Sequence, residues 1–214
     1  MHWPKTLESM VIMPSIYDLK PKFQGLLRPI TRSLVNLGVT ANQVTVFAAV
    51  LSIGAGACLA IWRTEQWPLL MIPGMLFVRM ALNAIDGMLA REHDMKSDLG
   101  AVLNEIGDVV SDSALYLPLA LLPGFRPELI VAIVLLSVIS EMTGVVAVQI
   151  GASRRYEGPM GKSDRAFAFG LICLLLGCGV PVEPWLEIAL GVILILLLVT
   201  IFNRAKRALQ EVKE

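Results

Sequence analysis

The chain has 214 residues, of which 56% are hydrophobic, and its 18 basic and 18 acidic residues give a formal net charge of zero. A mean hydropathy of +0.69 with several long apolar runs excludes an ordinary soluble domain and favours one integral membrane domain. No basic patch typical of a nucleic-acid-binding protein is present in the sequence.

The segment before the first apolar run, residues 1–37, is predicted to lie on the cytoplasmic side or at the membrane interface. Within it, Lys20–Leu37 places apolar side chains such as Phe23 and Leu27 along one side, with basic residues such as Arg28 elsewhere. This pattern predicts an amphipathic helix in contact with anionic lipid. Two roles remain open, an arm that only fixes topology and a helix that guides a lipid substrate. A cleavable signal peptide is not expected.

Six apolar stretches of about 18–24 residues each predict six transmembrane helices. These stretches are Ala41–Trp62, Pro68–Arg91, Asp98–Leu121, Pro127–Ile150, Arg165–Val182 and Pro184–Asn203. The fold class expected is therefore an all-α membrane protein, a single domain whose six-helix bundle over 41–203 follows an interfacial N-terminal helix. Lys and Arg concentrate in the loops on one side, so both termini are predicted to be cytoplasmic.

A polar run interrupts the second and third of these stretches, where ionisable side chains are costly and are retained mainly for function. At 100° per residue, Glu105, Asp108 and Asp112 fall within about 60° of one another on one helix. Asn83 and Asp86 lie one turn apart on the preceding helix. Oxygen-rich faces on two consecutive antiparallel helices predict a site for a hard cation such as Mg²⁺, Mn²⁺ or Ca²⁺.

The spacing of this run, N-x2-D-G-x2-A-R-x8-G-x3-N-x3-D from Asn83 to Asp108, carries a family resemblance. It resembles the signature D-x2-D-G-x2-A-R-x8-G-x3-D-x3-D of the CDP-alcohol phosphatidyltransferases, with two asparagines where the family has aspartates. Asn42 and Thr45 resemble part of the family's P-N-x-x-T element, and Gly161–Arg165 resembles its G-K-x-K-T element. The N-A-I-D-G segment is similar to that of the bacterial YnbA-like branch.

The resemblance implies a transferase of phospholipid biosynthesis in the bacterial inner membrane, a homodimer whose active site faces the cytoplasm. A phosphatidyl or related group would pass from a CDP-linked donor, chiefly CDP-diacylglycerol, to the hydroxyl of a small alcohol, with release of CMP. One or two Mg²⁺ or Mn²⁺ ions would stabilise the charge that develops on the phosphates. The protein is also expected to contact membrane lipids and not to bind nucleic acid.

The resemblance also implies roles for particular residues. Asp108 would be the catalytic base or a metal ligand. The implied metal ligands are Asn83, Asp86, Asn104 and Asp108. Glu105, on the face of Asp108, is a candidate for restoring a missing charge. The implied CDP-binding residues are Asn42, Thr45, Asp86, Gly87, Ala90, Arg91 and Gly100. The residues implied for an acceptor phosphate are Lys162, Arg165, Arg154 and Arg155.

The two asparagines leave three readings open: a two-metal enzyme that uses Glu105 or Asp112, a one-metal enzyme, and an idle relative. An idle relative would be a scaffold that binds nucleotide or lipid. A further rival is an ion- or proton-coupled transporter, because the buried acidic residues also suit an ion relay. These residues are Asp86, Asp108, Asp112 and Glu141. The absence of inverted hydropathy symmetry argues against transport. The sequence does not identify the acceptor alcohol.

Overall fold

Seven α-helices make up the computed structural model, which describes residues 16–182 and 184–213. They are α1 (Ile16–Asn36), α2 (Ala41–Ile61), α3 (Trp67–Glu92), α4 (Asp98–Tyr116), α5 (Pro127–Gln149), α6 (Lys162–Gly177) and α7 (Trp185–Glu211). A short 3₁₀ turn, Leu117–Leu121, extends α4. The described part of the chain contains no strand. The part of segment 1–37 before Ile16 lies outside the described residues.

Local sequence signals explain where the helices around the polar run begin. Thr40 and Gln43 form a capping box at the start of α2, in which each side chain accepts a hydrogen bond from the other's backbone N–H. Ser97 caps α4 by accepting a hydrogen bond from the backbone N–H of Gly100 at 3.0 Å. The carboxylate of Asp164 accepts from the N–H of Gly161 at the start of α6. These caps fix the helix ends that carry the polar residues.

The predicted span Arg165–Val182 is displaced in the structure, where α6 runs from Lys162 to Gly177. It ends early because Gly179 adopts a left-handed backbone with φ of 84°. The N–H of Gly179 bonds to Leu176 O and that of Val180 to Leu175 O, the pattern of a Schellman cap. The other five predicted spans coincide with α2 to α5 and α7 apart from a few residues at their ends, except that α7 continues eight residues beyond Asn203.

Four helices, α2, α3, α5 and α7, are long and apolar enough to cross a membrane. By the same measure of length and polarity, α4 is too polar because it carries four acidic residues. α6 is too short because it has only 16 residues. Large apolar side chains such as Phe47, Leu135, Ile195 and Phe202 point outward from the four long helices. Such outward apolar faces are typical of helices that contact lipid.

The bundle has an apolar end and a polar end. At the apolar end lies one large hydrophobic core, to which every helix from α2 through α7 contributes. Its buried residues include Leu59, Ile72, Phe169 and Leu186. At the other end, a smaller apolar cluster that includes Leu27 joins α1 to α2 and α3. Because α2 and α4 begin here and α3 ends here, the polar run is gathered at this second end.

Candidate active site

A pocket of about 900 Å³ opens at the polar end of the bundle, between α2, α3, α4 and the start of α6. Its wall includes the predicted residues Asn42, Thr45, Asn83, Asp86, Gly87, Ala90, Arg91, Gly100, Asn104, Asp108 and Lys162. Phe23 and Gln24 of α1, Met95, Lys96 and Ser97 of the α3–α4 connection, and Asp98 at the start of α4 also line it. A pocket of this volume holds a ligand the size of a nucleotide.

Asp86 is the buried carboxylate on the α3 side of the pocket, with 6% of its surface exposed. Its Oδ2 accepts a hydrogen bond of 2.8 Å from Thr45 Oγ1 of α2. Thr45 lies one helical turn into α2, so the capping box at Thr40 sets the depth at which its hydroxyl meets Asp86. The second half of the predicted P-N-x-x-T element therefore positions a carboxylate of the central motif.

Asp108, on α4, is held by donors from three directions. Its Oδ1 accepts from Asn83 Nδ2 at 3.3 Å and from the Lys162 ammonium of α6. Arg79 Nη2 lies 3.5 Å from the same oxygen and donates to the backbone carbonyl of Asp108 at 3.1 Å. The carboxylate is thus oriented toward the pocket and its negative charge is compensated by two basic side chains.

The donor set of the pocket suits a hard cation but carries few charges. Asn83, Asp86, Asn104 and Asp108 line the wall together and offer two carboxylates and two amide oxygens, the ligands that Mg²⁺ and Mn²⁺ accept. Among residues 16–182 and 184–213, no three His, Cys, Asp or Glu side chains converge on one metal position. The residues present therefore fit a cation held by fewer charges than four aspartates would supply.

Next to the pocket lies a charge network whose members are buried except for the partly exposed Glu105 and Arg154. It comprises Arg79, Glu105, Asp112, Glu141, Arg154, Arg165 and Arg204. Asp112 bridges Arg79 at 2.5 Å and Arg165 at 2.7 Å. Glu141 accepts hydrogen bonds from Arg154 and Arg165 at 3.1 Å each and lies 3.4 Å from Arg204. Paired in this way, charged side chains are tolerated inside a membrane-protein bundle.

Glu105 does not line the pocket and instead joins this network. Both of its carboxylate oxygens accept from Arg154, at 3.0 Å from Nε and 2.8 Å from Nη2. Burial lowers the pKa of the Arg154 guanidinium, but its hydrogen bonds to Glu105 and Glu141 outweigh burial and leave that pKa raised. Arg154 thus stays charged and, by its fork geometry, keeps Glu105 turned away from Asp108.

The amino-acid sequence and the fold place this site within a known family. The model of the CDP-alcohol phosphatidyltransferase family matches residues 38–204, which include every residue of the pocket except Phe23 and Gln24. The chain belongs to the CDP-alcohol phosphatidyltransferase family. It is 43% identical over 195 residues, 91% of this chain and 96% of the relative, to the inner membrane protein YnbA of Escherichia coli strain K12. The four apolar helices and this relative identify it as an integral membrane protein.

More distant members of the family include structurally characterised enzymes. Over 184 residues, 76% of this chain and 75% of the relative, it is 28% identical to the phosphatidylinositol phosphate synthase of Mycobacterium tuberculosis. A crystal structure of that synthase with CDP-DAG bound matches the fold with a TM-score of 0.72 and 21% identity, over 86% of this chain and 92% of that one. A structure of the same synthase with manganese and citrate gives a TM-score of 0.71 at 20% identity, over 85% and 88% of the two chains.

In this family member, the predicted site residues divide into two groups. The pocket gathers the residues of the central motif together with Asn42, Thr45 and Lys162. Outside its wall lie Glu105, Arg154, Arg155 and Arg165. Arg155 pairs with Glu157 at 3.1 Å and with Glu211, and Arg165 is fully buried in the charge network. The residues predicted for an acceptor phosphate are therefore not gathered at one place.

Several residues of the pocket wall and of the neighbouring charge network were not predicted from the sequence. Arg79 and Arg204 are fully buried and charged, yet neither belongs to the motif. The signal for Arg79 was its position inside an apolar span, where a lone guanidinium requires a carboxylate partner such as Asp112. Tyr156 and Lys96 line the pocket from loops, and no periodicity in the sequence indicates their positions.

We expect Gly100→Ala to weaken binding of the CDP-linked donor. A Cβ at Gly100 would lie 2.7 Å from Asn42 Oδ1 and 3.0 Å from Ser97 Oγ, so the Asn42 side chain must turn away from the pocket wall. The KM for CDP-diacylglycerol should rise about tenfold with little change in kcat, as when an interaction common to ground and transition states is lost. Gly191→Ala, which meets no atom within 4 Å, is the control. A KM equal to that of Gly191→Ala would contradict a role for this contact.

Proposed function

We propose that the chain transfers a phosphatidyl group from CDP-diacylglycerol to the hydroxyl of an acceptor alcohol and releases CMP, as a step of phospholipid synthesis. The observation that carries this proposal is the placement of Asp86 and Asp108 in one pocket with the glycine, alanine and arginine residues of the family motif. The pocket opens at the end of an otherwise apolar bundle, where a lipid-linked nucleotide can place its acyl chains in the membrane and its nucleotide in water.

In the proposed reaction, Asp108 accepts the proton of the acceptor hydroxyl. The alcohol oxygen then forms a bond to the phosphorus that carries the diacylglycerol, and the bond from that phosphorus to the bridging oxygen of CMP breaks. Asn83 orients Asp108 through the hydrogen bond from its amide, and Lys162 and Arg79 compensate the charge of the carboxylate in the resting state. Gly87 and Gly100 leave room for the nucleotide against α3 and α4.

A bound Mg²⁺ or Mn²⁺, held by Asp86 and Asp108 with the amide oxygens of Asn83 and Asn104, would supply charge compensation for the two phosphates. One ion matches the two carboxylate charges better than two ions do, because amide oxygens ligate without adding negative charge. Thr45 supports this set because its hydrogen bond fixes one oxygen of Asp86.

We propose that α4 and α6 also cross the membrane, which gives six spans. On α4, Leu99, Val102, Ile106 and Val110 form an exposed apolar stripe opposite the charged face. Phe167 and Leu171 do the same on α6. The excess of Lys and Arg in the loops on one side supports a cytoplasmic location for both termini and the pocket, in a protein of the inner membrane. The homodimer stays a prediction from the family.

The proposed function is tested by CMP release from purified protein supplied with CDP-diacylglycerol, Mg²⁺ or Mn²⁺ and a pool of alcohols. We expect CMP to form only with metal and to be lost in Asp86→Ala. Absence of metal-dependent CMP with every alcohol would overturn the proposal, and release that persists in Asp86→Ala would exclude Asp86 as an essential metal ligand.

A second candidate function is a scaffold that binds CDP-diacylglycerol without turnover. The observation in its favour is the Lys162 ammonium on Asp108, which balances this carboxylate without a metal ion. The scaffold predicts that CDP-diacylglycerol raises the melting temperature while no CMP appears under any metal condition.

We expect Asn104→Asp, which restores a third carboxylate to the donor set, to tighten Mn²⁺ binding. A full charge about 4 Å from a cation is worth several kcal/mol even in a partly screened site, so the affinity should rise at least about tenfold. Titration of the purified protein with Mn²⁺, followed by electron paramagnetic resonance, measures this without turnover. Unchanged or weaker binding would exclude Asn104 from the metal position. Asn203→Asp, on α7 outside the pocket wall, is the matched control.

A further inference from the structure

The basic residues that the family resemblance implies for an acceptor phosphate, at the loop between α5 and α6 and the start of α6, are already committed to other groups. Arg154 is the clearest case. Four of its five N–H groups are used: Nε and Nη2 on Glu105, Nη2 also on Glu141, and Nη1 on the backbone carbonyl of Arg155. The ring of Tyr156 lies 4.4 Å from the guanidinium carbon and covers one face. A phosphate that bound Arg154 would have to displace Glu105.

Arg165 is equally committed and is also inaccessible. Its side chain is fully buried and donates twice to Asp112, once to Glu141 and once to the backbone carbonyl of Met160. It lies in the charge network next to the pocket and not in the pocket wall. Breaking these contacts to reach an acceptor would leave Asp112 and Glu141 buried without this partner, which is strongly unfavourable.

Arg155 points away from the pocket as well. Its guanidinium pairs with Glu157 and Glu211 and donates to the backbone carbonyl of Arg207 at 3.4 Å. Glu211 also accepts from the backbone and hydroxyl of Ser153, so this cluster ties the loop to the end of α7. Arg155 therefore fixes the position of the loop and does not form an anion site in the pocket.

Among the described residues that α6 and the α5–α6 loop contribute to the pocket wall, Lys162 is the sole basic side chain, and it is paired with Asp108. The other basic residues of the wall, Arg91 and Lys96, lie at the end of α3 and on the α3–α4 connection, beside the residues proposed to bind CDP. A phosphate monoester beside Lys162 would bring about two negative charges close to Asp86 and Asp108. One ammonium already shared with a carboxylate does not compensate them. Uncharged donors and acceptors of the wall include the amides of Asn83 and Asn104 and the hydroxyl of Tyr156.

We propose that the acceptor is an alcohol without a phosphate group, such as a polyol or an amino alcohol, and that Glu105 sets this preference by holding Arg154 away from the pocket. This inference rests on the proposed transferase function. Amide and hydroxyl groups recognise the hydroxyls of such an acceptor by hydrogen bonds, and Asp108 accepts the proton of the one that reacts. A phosphorylated acceptor bound beside α6 is rejected because its charge finds no unpaired basic partner on that side of the pocket.

The test compares CMP release with two matched sets of acceptors under the same CDP-diacylglycerol and Mn²⁺. One set contains glycerol, myo-inositol and serine, and the other contains glycerol 3-phosphate and inositol phosphate. We expect turnover with at least one member of the first set to exceed that with any phosphorylated acceptor by tenfold or more. Turnover that is greatest with a phosphorylated acceptor would overturn the inference and leave the transferase function standing. No CMP with either set would overturn both.

A variant gives a second readout. In Glu105→Ala the Nε and one N–H of Nη2 of Arg154 lose their carboxylate, and we expect use of glycerol 3-phosphate relative to glycerol to rise at least tenfold. Stabilisation of the variant, but not of the unmodified protein, against heat by glycerol 3-phosphate measures the same change without turnover. Glu187→Ala removes an exposed carboxylate that pairs with Arg126 and is the matched control. If Glu105→Ala and Glu187→Ala behave alike in both measurements, Glu105 does not set the preference.

Discussion

Replacement of Asp108 by Asn is expected to reduce CMP release at least about 100-fold, because a positioned general base contributes about 10²–10⁴-fold to rate. The asparagine keeps the size of the side chain and can still accept a hydrogen bond from Asn83, so the fold should be unchanged. It cannot accept a proton, and it gives Lys162 no negative partner. The measurement is the initial rate of CMP formation at saturating CDP-diacylglycerol, together with the melting temperature.

The control for this prediction is Asp94→Asn, the same chemical change at an exposed residue of the α3–α4 connection outside the pocket wall. Its φ of 53° is one that asparagine adopts readily, so no backbone strain is introduced. If Asp108→Asn turns over as fast as Asp94→Asn, Asp108 is neither the base nor an essential metal ligand.

We expect the second large effect in Arg165→Met, which should lower the free energy of unfolding. This guanidinium is fully buried and compensates Asp112 and Glu141, and removal of one partner of a buried ion pair costs about 3–5 kcal/mol. Thermal unfolding in detergent micelles, followed by far-UV circular dichroism, measures the change. The combined variant Arg165→Met with Asp112→Asn should regain part of the loss, because one uncompensated charge is then gone.

Arg126→Met is the matched control for that prediction. Arg126 pairs with Glu187 at 2.7 Å, but both side chains are more than half exposed. Exposed ion pairs contribute less than about 1 kcal/mol, so this variant should melt close to the unmodified protein. An Arg165→Met protein that melts like Arg126→Met would show that the charge network does not stabilise the fold.

The sequence predicts that the residues of the central motif lie close together, because helix geometry determines their relative positions. Asn83 and Asp86 lie one turn apart near the end of α3, and Asn104 and Asp108 lie one turn apart on α4 after a short connection. Because α3 and α4 are consecutive, antiparallel and joined by a short connection, all four side chains lie at the same end of the bundle. The spacing of the motif therefore contains most of the site.

The orientation of Glu105 could not be predicted in the same way. On the helix axis it is about 60° from Asp108, which is compatible with either face. Its direction is decided by Arg154, a loop residue 49 positions later whose place depends on how α5 ends. Gly144 of α5 contributes, since a Cβ there would collide with the Arg154 guanidinium.

The difference between Lys162 and Arg165 also arises from tertiary packing. In the sequence they form one basic element, three residues apart. In the structure α6 begins at Lys162, and the Lys162 ammonium reaches the pocket. Arg165 lies one turn further along α6 and pairs with Asp112 and Glu141. Only the positions of α4 and α5 show which basic residue faces the substrate side and which belongs to the core.

In the proposed function, a pocket with two asparagines in place of motif aspartates still transfers a phosphatidyl group. The most direct measurement is mass spectrometry of the lipid products formed by purified protein from CDP-diacylglycerol, Mn²⁺ and a single alcohol, with CMP quantified in the same sample. We expect a phosphodiester lipid that carries the alcohol, formed in equal amount to CMP and absent in Asp108→Asn. Intact CDP-diacylglycerol after prolonged incubation with every alcohol, in protein that the donor stabilises against heat, would contradict the proposed transfer.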